Sequence, residues 1–563
     1  MKRSSSVTSF RSPFTTFPDA FVAGWKLVAL AFVLLILFAY VARSQQALPL
    51  IQWQQSFGGT NGDILYSLER TSDGGCILGG YSFSGTNGNK TSPNFGTAGV
   101  NSDFWIVRLD AGGNKLWDKT YGGTNNEALF CLRQTTDGGF ILGGSSDSGP
   151  SGNKSAPRRG NDDFWVVKID ANGGKSWDVS FGATGKDILF SLQQTSDGGY
   201  ILGGYSQSGT GGNKTSPNYG TAGVDGDFWV VRLDANGNKL WDHTYGGTGD
   251  DSLSSLQEVT GGGFILAGSS SSPASTNSPA DGTKTSPNYG GYDFWIVRLD
   301  AAGNQLWDKS YGGSAADGES NVQIRQTSDG GFIVGGDSSS GVSGNRTNAS
   351  FGGSDYWVLR LDASGNKLWE RVLGGAGFDE LTDLAQTSDG GFLLAGLSDS
   401  GVSGNKSSTN YGLSDFWLVR LDAGGNKLWD QNYGGSNQDG FFNASLRATS
   451  DGGWLLGGDS QSGASGIKTA AGFGGADYWV LKLNMPTPVW LRAAPQQNIA
   501  QNGFHFFLSG ETNRFYVIEK SVTISPPSWT PISTNLLTGS EMELIDSGAG
   551  GAPKAFYRAR RSP

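Results

Sequence analysis

Carboxylates recur at fixed places along this chain. Asp63, Glu127, Asp187, Asp251, Glu319 and Asp379 each open a short apolar, alternating segment, and in a seventh copy Phe441 takes that place with Asp439 two residues earlier. Oxygen-only side chains brought to one mouth of a channel would suit a cation or a polyol, and calcium is the ion such a set would take. No further ligand set supports a metal, and no cofactor motif is found. The competing reading is structural, with each carboxylate binding backbone N–H groups of the adjacent Gly-Gly turn. A feature repeated six or seven times is more simply a requirement of the fold. The same holds for Arg108, Lys168, Arg232, Arg298, Arg360, Arg420 and Lys482, seven basic residues expected to pair with carboxylates such as Asp110 and Asp118. No acid, base or nucleophile stands out from the repetition, so no catalytic residue is assigned.

Composition narrows the chemistry further. The two histidines, His243 and His505, lie far apart in the chain, which argues against a Ser–His–acid triad or a histidine metal site. Two cysteines, Cys76 and Cys131, are too few for a disulfide scaffold or a thiolate zinc cluster, and whether they pair is open at this level. With a net charge of -10 and 16% charged residues, the chain lacks the concentrated Lys and Arg that nucleic acid requires. Glycine is abundant at 90 residues, yet 18 tryptophans and 12% aromatics mark a chain that folds.

The elements that position these residues are repeats. A Gly-Gly doublet follows Asp73, Asp137, Asp197, Asp329, Asp389 and Asp451, with Gly261 replacing the acid in one copy. An acidic–aromatic–Trp triplet begins at Asp103, Asp163, Asp227, Asp293, Asp355, Asp415 and Asp477. Both series recur roughly every 60 residues, longer than a β-helix coil and suited to a four-stranded unit. In the first unit Ile64 to Thr71, Cys76 to Ser82, Phe104 to Leu109 and Lys115 to Tyr121 read as strands. The Asp-Gly-Gly turn supplies the positive φ of a tight hairpin. The third strand is apolar on both faces, so Trp105 and Val107 should pack one way and Phe104 and Ile106 the other. No stretch shows helical periodicity.

The chain ends give the count. A Trp-bearing fourth strand occurs at Trp117, Trp177, Trp241, Trp307, Trp369 and Trp429, one short of seven. The missing copy is Gln52-Trp53-Gln54-Gln55-Ser56-Phe57 at the other end, with Trp53 at the same distance from Thr71 as Trp117 from Thr135. The expected architecture is therefore all-β: a seven-bladed β-propeller of four-stranded blades whose N-terminal strand closes the last blade, leaving no open edge. A small C-terminal β-sandwich follows.

The succession Ile77-Leu78-Gly79-Gly80, Asp103-Phe104-Trp105 and Leu116-Trp117-Asp118 resembles kelch-type propellers. Leu109 to Trp117 also looks like the tryptophan-docking repeats of quinoprotein propellers. The whole unit is similar to Gly-rich propeller repeats of secreted bacterial proteins. That resemblance implies the fold over residues 51 to 484 and leaves activity open, because such scaffolds host enzymes and binding modules alike. The cofactor ligands of a quinoprotein are not found. Phe504 to Leu508, Phe515 to Lys520 and Ala555 to Arg558 read as strands around Trp529, similar to C-terminal sandwich modules of secreted bacterial proteins.

Three segments are expected: residues 1–44 as a signal peptide or anchor, 45–485 as the propeller and 486–563 as the sandwich. The basic residues Lys2, Arg3, Arg11 and Lys26 precede an apolar run from Leu27 to Ala42, with small residues before Gln45. This predicts a secreted or cell-surface, bacterial protein that touches a membrane only through that segment if it is uncleaved. The long loops Ser84 to Asn101, Ser206 to Asp225 and Ser269 to Tyr292 would gather on one face. They are rich in Asn, Ser, Thr, Tyr and Gly, and Asn89 and Asn213 match a glycosylation pattern. Such loops suit a glycan or an extracellular protein. The leading expectation is a non-catalytic binding or adhesion propeller. The alternatives are a carbohydrate-active hydrolase or lyase working at the central channel, and a structural surface or spacer protein.

Overall fold

The computed structural model describes residues 48–485 apart from residue 279, and residues 490–493, 504–510, 514–523, 528–539, 541–547 and 555–561. The N-terminal apolar run, read as a signal, lies outside the described residues. The described residues are strands, turns and loops, with no helix among them. They divide into a unit spanning Leu48–Met485 and a second that contains the C-terminal residues.

The larger unit holds seven four-stranded antiparallel sheets. Sheet 1 runs Asp63–Arg70, Cys76–Ser82, Asp103–Leu109 and Lys115–Tyr121, each strand beside the next in sequence. The same succession starts at Glu127, Asp187, Asp251, Asp317 and Asp379 for sheets 2 to 6. Sheet 7 takes three strands from Asp439–Ala448, Trp454–Ser460 and Asp477–Asn484, and its fourth is Leu50–Phe57 from the opposite end of the chain. Trp53 stands opposite Lys482, as Trp117 stands opposite Arg108 in sheet 1. The N-terminal strand is therefore a true fourth strand in register.

Local chemistry sets the hairpins. Gly74 has a φ of 88°, a left-handed value that glycine adopts without a Cβ clash. Asp73 Oδ1 accepts from the Thr71 hydroxyl at 2.6 Å and from the Gly75 N–H at 3.2 Å, which closes the turn.

The core lies between sheets. Trp105 and Val107 share a buried cluster with Leu455, Tyr478 and Val480 of sheet 7, whereas Phe104 and Ile106 share one with Trp165 and Val167 of sheet 2. The two faces of the third strand part as its apolar pattern predicts. An aromatic ring precedes each Trp and meets the Trp of the next sheet: Phe104–Trp165 at 4.6 Å, Phe164–Trp229 at 4.7 Å and so on to Phe416–Trp479 at 5.3 Å. Tyr478 of sheet 7 meets Trp105 of sheet 1 at 4.7 Å, and its hydroxyl donates to the Trp105 carbonyl at 2.9 Å. Such offset aromatic pairs contribute about 0.5–1.5 kcal/mol each beyond area burial.

In the second unit, Trp490–Ala493, Phe504–Ser509 and Glu541–Asp546 form one three-stranded sheet, and Thr530–Leu537, Arg514–Ser521 and Phe556–Arg561 form another. Phe506 and Leu508 of the first share a buried cluster with Tyr516, Ile518 and Leu537 of the second. Trp529, expected to anchor that core, is only half-buried; the Arg558 guanidinium lies 4.4 Å from its ring centre.

Candidate functional site

The repeated acids at the first strands are buried, and each is held by protein donors. Asp63 accepts from the Gly59 N–H at 2.7 Å and the Ser84 hydroxyl at 3.0 Å through Oδ2, and from the Ser82 hydroxyl through Oδ1. Glu127 takes the Gly123 N–H at 2.7 Å and the Ser146 hydroxyl at 2.7 Å. Asp187, Asp251, Asp379 and Asp439 repeat the pattern with Ala183, Gly247, Gly375 and Gly435. The donors come from the doublet just before each first strand, and they hold the chain where it enters the sheet.

One member of the expected set is corrected. Asp317, not Glu319, occupies the fifth position, accepting from the Gly313 N–H at 2.7 Å and the Ser340 hydroxyl at 2.8 Å. Glu319 is exposed in a bulge between Asp317 and Val322 that interrupts the register of that strand. All seven acids are fully buried, so they do not form an open mouth of carboxylates. No group of three or more His, Cys, Asp or Glu side chains is arranged to hold a metal among the described residues.

The third-strand cations are also structural, but with other partners than expected. Arg108 pairs with Asp73 at 2.5 Å, Lys168 with Asp137 at 2.8 Å and Arg360 with Asp329 at 2.5 Å, so each clamps its own hairpin turn. Arg298 faces the turn that carries Gly261 and donates to the Gly262 carbonyl at 2.6 Å instead. Asp110 caps its own turn, accepting from the Gly112 N–H at 2.8 Å, and Asp118 receives Lys115 at 2.9 Å and the Trp105 indole N–H at 3.1 Å. His243 stacks on Trp241 with ring centres 4.9 Å apart and joins no catalytic group.

What breaks the sevenfold repetition lies on the first strands, between their acidic starts and their far ends. Tyr66, Phe130 and Phe190 occupy the bulge position of sheets 1 to 3, and Phe442 sits in the longer bulge of sheet 7. Their rings touch in sequence: Phe442–Tyr66 at 6.0 Å, Tyr66–Phe130 at 4.9 Å and Phe130–Phe190 at 5.2 Å. Tyr81 stacks on Tyr66 at 5.9 Å, and Phe83, which leads into a long loop, packs edge-on to Tyr81. Phe441 and Phe442 remain 49% and 40% exposed. The corresponding positions of sheets 4 and 6 carry Ser254 and Thr382. The bulges thus carry aromatic side chains in sheets 7, 1, 2 and 3 and polar ones in the remaining half of the set, sheets 4 to 6.

An unmatched acid stands on the polar half. Glu380 of sheet 6 is pushed up to about 7, first by burial and then by the charge of Asp337, while a hydrogen bond from Ser320 opposes the rise. Burial also raises Asp337 to about 6; its carboxylate accepts backbone N–H groups of the sheet 5 bulge, including Ser320 at 3.4 Å. Asp459 does the same for Phe441 at 3.2 Å in sheet 7. The Tyr66 hydroxyl is raised by burial, then by Tyr81, Asp459 and Glu380. Aromatic faces take the apolar C–H face of a sugar ring, and flanking carboxyls accept from its hydroxyls. The sequence signal for this site was the pair of extended bulges, Asp317-Gly318-Glu319-Ser320-Asn321 and Asp439-Gly440-Phe441-Phe442-Asn443.

No known protein family profile matches this chain. The chain is 26% identical over 383 residues to the regulatory protein FlaEY of Caulobacter vibrioides, covering 62% of this chain and 38% of that protein. The chain thus spans well under half the length of that relative. Among solved structures, Kuenenia stuttgartiensis hydrazine synthase is similar at a TM-score of 0.36 and 12% identity, covering 65% of this chain and 78% of that one. Puromycin hydrolase is similar at a TM-score of 0.39 and 12% identity, covering 81% and 60%. A Dyadobacter fermentans protein of unknown function is similar at 0.37 and 11%, covering 78% and 99%. These likenesses are too distant to carry a functional argument.

Proposed function

We propose that the seven sheets are the blades of a closed β-propeller that acts as an exported, non-catalytic binding or adhesion protein with a glycan ligand. Pairing of Leu50–Phe57 with Asp477–Asn484 and packing of Tyr478 on Trp105 support closure. In a closed ring the first strands line the axis, and the long loops share the face onto which Phe83 leads. Exposed Val100, Val224, Phe351 and Tyr411 sit in those loops. The observation that carries the reading is the Phe442–Tyr66–Phe130–Phe190 arc, which no fold requirement explains because sheets 4 and 6 do without it. Residues 1–44 would direct export, and the C-terminal unit would be a β-sandwich serving attachment or spacing.

A glycan-array screen of the mature chain tests this, with Tyr66→Ala and Phe442→Ala on any hit. An aromatic contact is worth about 0.5–1.5 kcal/mol beyond its buried area, and tenfold in affinity is about 1.4 kcal/mol, so a loss of about tenfold is expected. Silence of the whole array, or variants that bind as wild type does, overturns it in favour of a purely structural spacer.

Glu380 favours a second reading, a carbohydrate-active hydrolase or lyase. A carboxyl raised to about 7 beside Asp337 has the proton affinity of a general acid. Turnover of an array hit that is abolished in Glu380→Gln would establish that reading over the non-catalytic one.

A further inference from the structure

The far ends of the first strands carry a second departure from the repeat. The penultimate core position reads Glu69, Arg133, Gln193, Gln257, Arg325, Ala385 and Arg447 across the seven sheets. No common residue is needed there for folding, yet three arginines converge from sheets 2, 5 and 7 on two carboxylates. Arg447 lies 3.2 Å from Glu69 and 2.6 Å from Asp383. Arg325 reaches Asp383 at 3.0 Å. Arg133 lies 3.7 Å from Glu69, too far for a hydrogen bond, and its Nη1 donates to the Leu132 carbonyl at 2.7 Å.

Charge and space do not balance here. Three guanidinium groups face two carboxylates, leaving one positive charge and several N–H donors over. Beside them opens a cavity of about 240 Å³ lined by the three arginines and by Leu384, Leu446 and Trp454. Ligand pockets typically run about 300–1,000 Å³, so this one takes a terminal group or a small acid rather than a polymer. Its mixed lining sets a fork of donors against apolar carbon, which suits an anion attached to an organic skeleton better than a hydrated inorganic one.

We propose that this cavity binds the carboxylate of a small organic acid, with Arg133 and Arg325 as its donors and Trp454 against its carbon skeleton. The mutual repulsion of three close cations eases when a carboxylate enters and brings the balancing negative charge. Arg325 is pushed down to about 10 by burial, with Arg447 and Arg133 adding to the shift against the opposing charge of Asp383. The site lies about three residues further along the first strands than the aromatic arc, towards the hairpin turns, and it stands whether or not that arc binds a glycan.

Thermal melts and calorimetric titration of the whole chain with sodium glucuronate test it, with glucose in matched sodium chloride and sodium sulfate as separate arms. The expected result is a saturable rise in melting temperature and measurable heat with glucuronate but not with glucose. Arg133→Gln, chosen because that arginine has the loosest ion pair, is expected to weaken glucuronate binding at least tenfold. Arg158→Gln, an exposed change elsewhere, is expected to leave it unchanged. A glucuronate response equal to that of glucose, binding of sulfate alone, or full affinity in Arg133→Gln would overturn the proposal. If Arg133→Gln melts far below wild type, Arg325→Lys in its place reads the same loss without removing the charge.

Discussion

Asp103 of sheet 1 and Glu127 of sheet 2 face each other across Gly122. A Cβ placed on Gly122 would fall inside the contact radius of Asp103 Oδ1 and 2.6 Å from Glu127 Oε2. Asp103 Oδ2 accepts from the Phe95 N–H at 2.7 Å, while its Oδ1 is buried without a hydrogen-bond donor. The arrangement recurs between Asp163 and Asp187, Asp227 and Asp251, Asp355 and Asp379, and Asp477 and Asp63, the last joining sheet 7 to sheet 1. Every third-strand acid, from Asp103 to Asp477, has the same partnerless Oδ1. The nearest buried cations, Lys90 and Lys154 in the first two sheets, supply one charge for two carboxylates. A proton held between the two acids gives the orphaned oxygen its partner and removes the excess charge.

This predicts a stability maximum in mild acid. Burial is the chief cause of the rise in Asp103 and Glu127, and it pushes Asp163 up to about 6, Asp477 to about 7 and Asp227 to about 8. Their folded values lie above the unfolded values, 3.8 for Asp and 4.5 for Glu127, so this stabilisation is complete below about pH 4 and is lost as pH rises through 6 to 8. An opposing set exists. Burial would raise Asp178, but Lys175, Ser155 and backbone donors outweigh it and bring it to about 2, so its contribution is lost only as pH falls below 4. Lys90, pushed down to about 8 by burial, changes the balance only above pH 8. Each pKa unit is worth about 1.4 kcal/mol, so a junction that gives up a proton held two to four units above its unfolded value loses on the order of 3–6 kcal/mol. Calorimetric melts from pH 4 to 9 should peak near pH 5 and fall steadily towards pH 8. A melting temperature that is flat or rising over that interval would remove the shared proton.

Substitution at one junction should separate its proton from its packing. Asp103→Asn keeps the shape and offers an N–H to Glu127, so at pH 8 the variant should melt above wild type and depend less on pH. Gly122→Ala puts a methyl group between the two acids and should cost about 1–3 kcal/mol at every pH, the usual price of overpacking. Equal effects of pH on wild type and Asp103→Asn would show that this pair does not titrate in the window.

The periodic parts of this fold were legible in the sequence because each is fixed by a local requirement. Asp73-Gly74-Gly75 needs a positive φ, Phe104 to Leu109 needs cover on both faces, and Trp53 needs a partner strand. Departures from the period were harder to see. Counting back from the hairpin turns places Glu319 level with Asp63, because two extra residues in that strand displace Asp317. Those extra residues form the bulges that expose Phe441 and bring Ser320 to Glu380. The pairing of Asp103 with Glu127 joins two sheets, and only the packing of one sheet on the next reveals it. Repetition carried the fold, while the candidate sites sit where repetition fails.

Gln54 should prove more important than its position near the start of the fold suggests. In sheet 1 the Trp105 indole N–H donates to Asp118; in sheet 7 Gln54 replaces that acid, and its Oε1 accepts from Trp479 and from the Thr469 N–H, both at 3.1 Å. Its Nε2 donates to the Ile467 carbonyl at 3.0 Å. Gln54→Ala strands a buried indole N–H and two backbone groups, at about 1–3 kcal/mol for a buried group left unpaired. Removal of residues through Phe57 should do more, since it opens the edge of Asp477–Asn484 and invites strand addition between molecules. Denaturant melts of the point variant and light scattering of the truncated chain measure the two effects. A truncated chain that stays monomeric with an unchanged midpoint would show that the N-terminal strand is dispensable.

Cys76 and Cys131 should be silent thiols. Sequence left their pairing open, but both are free and buried, and they belong to different clusters. Cys76 packs with Trp105, Leu109 and Leu455 between sheets 7 and 1, and Cys131 packs with Phe164, Leu189 and Trp229 between sheets 2 and 3. Burial pushes both up to about 12, so neither carries appreciable thiolate near neutrality, and thiolate is the reactive form. An aromatic disulfide reagent should therefore find no accessible thiol in the native chain at pH 8 and two after denaturation, with or without prior reductant. Labelling in the native state at the rate of a free thiol would mean that the junction containing that cysteine opens readily. A requirement for reductant after denaturation would instead mean that the two residues are bonded, which their separate clusters do not allow.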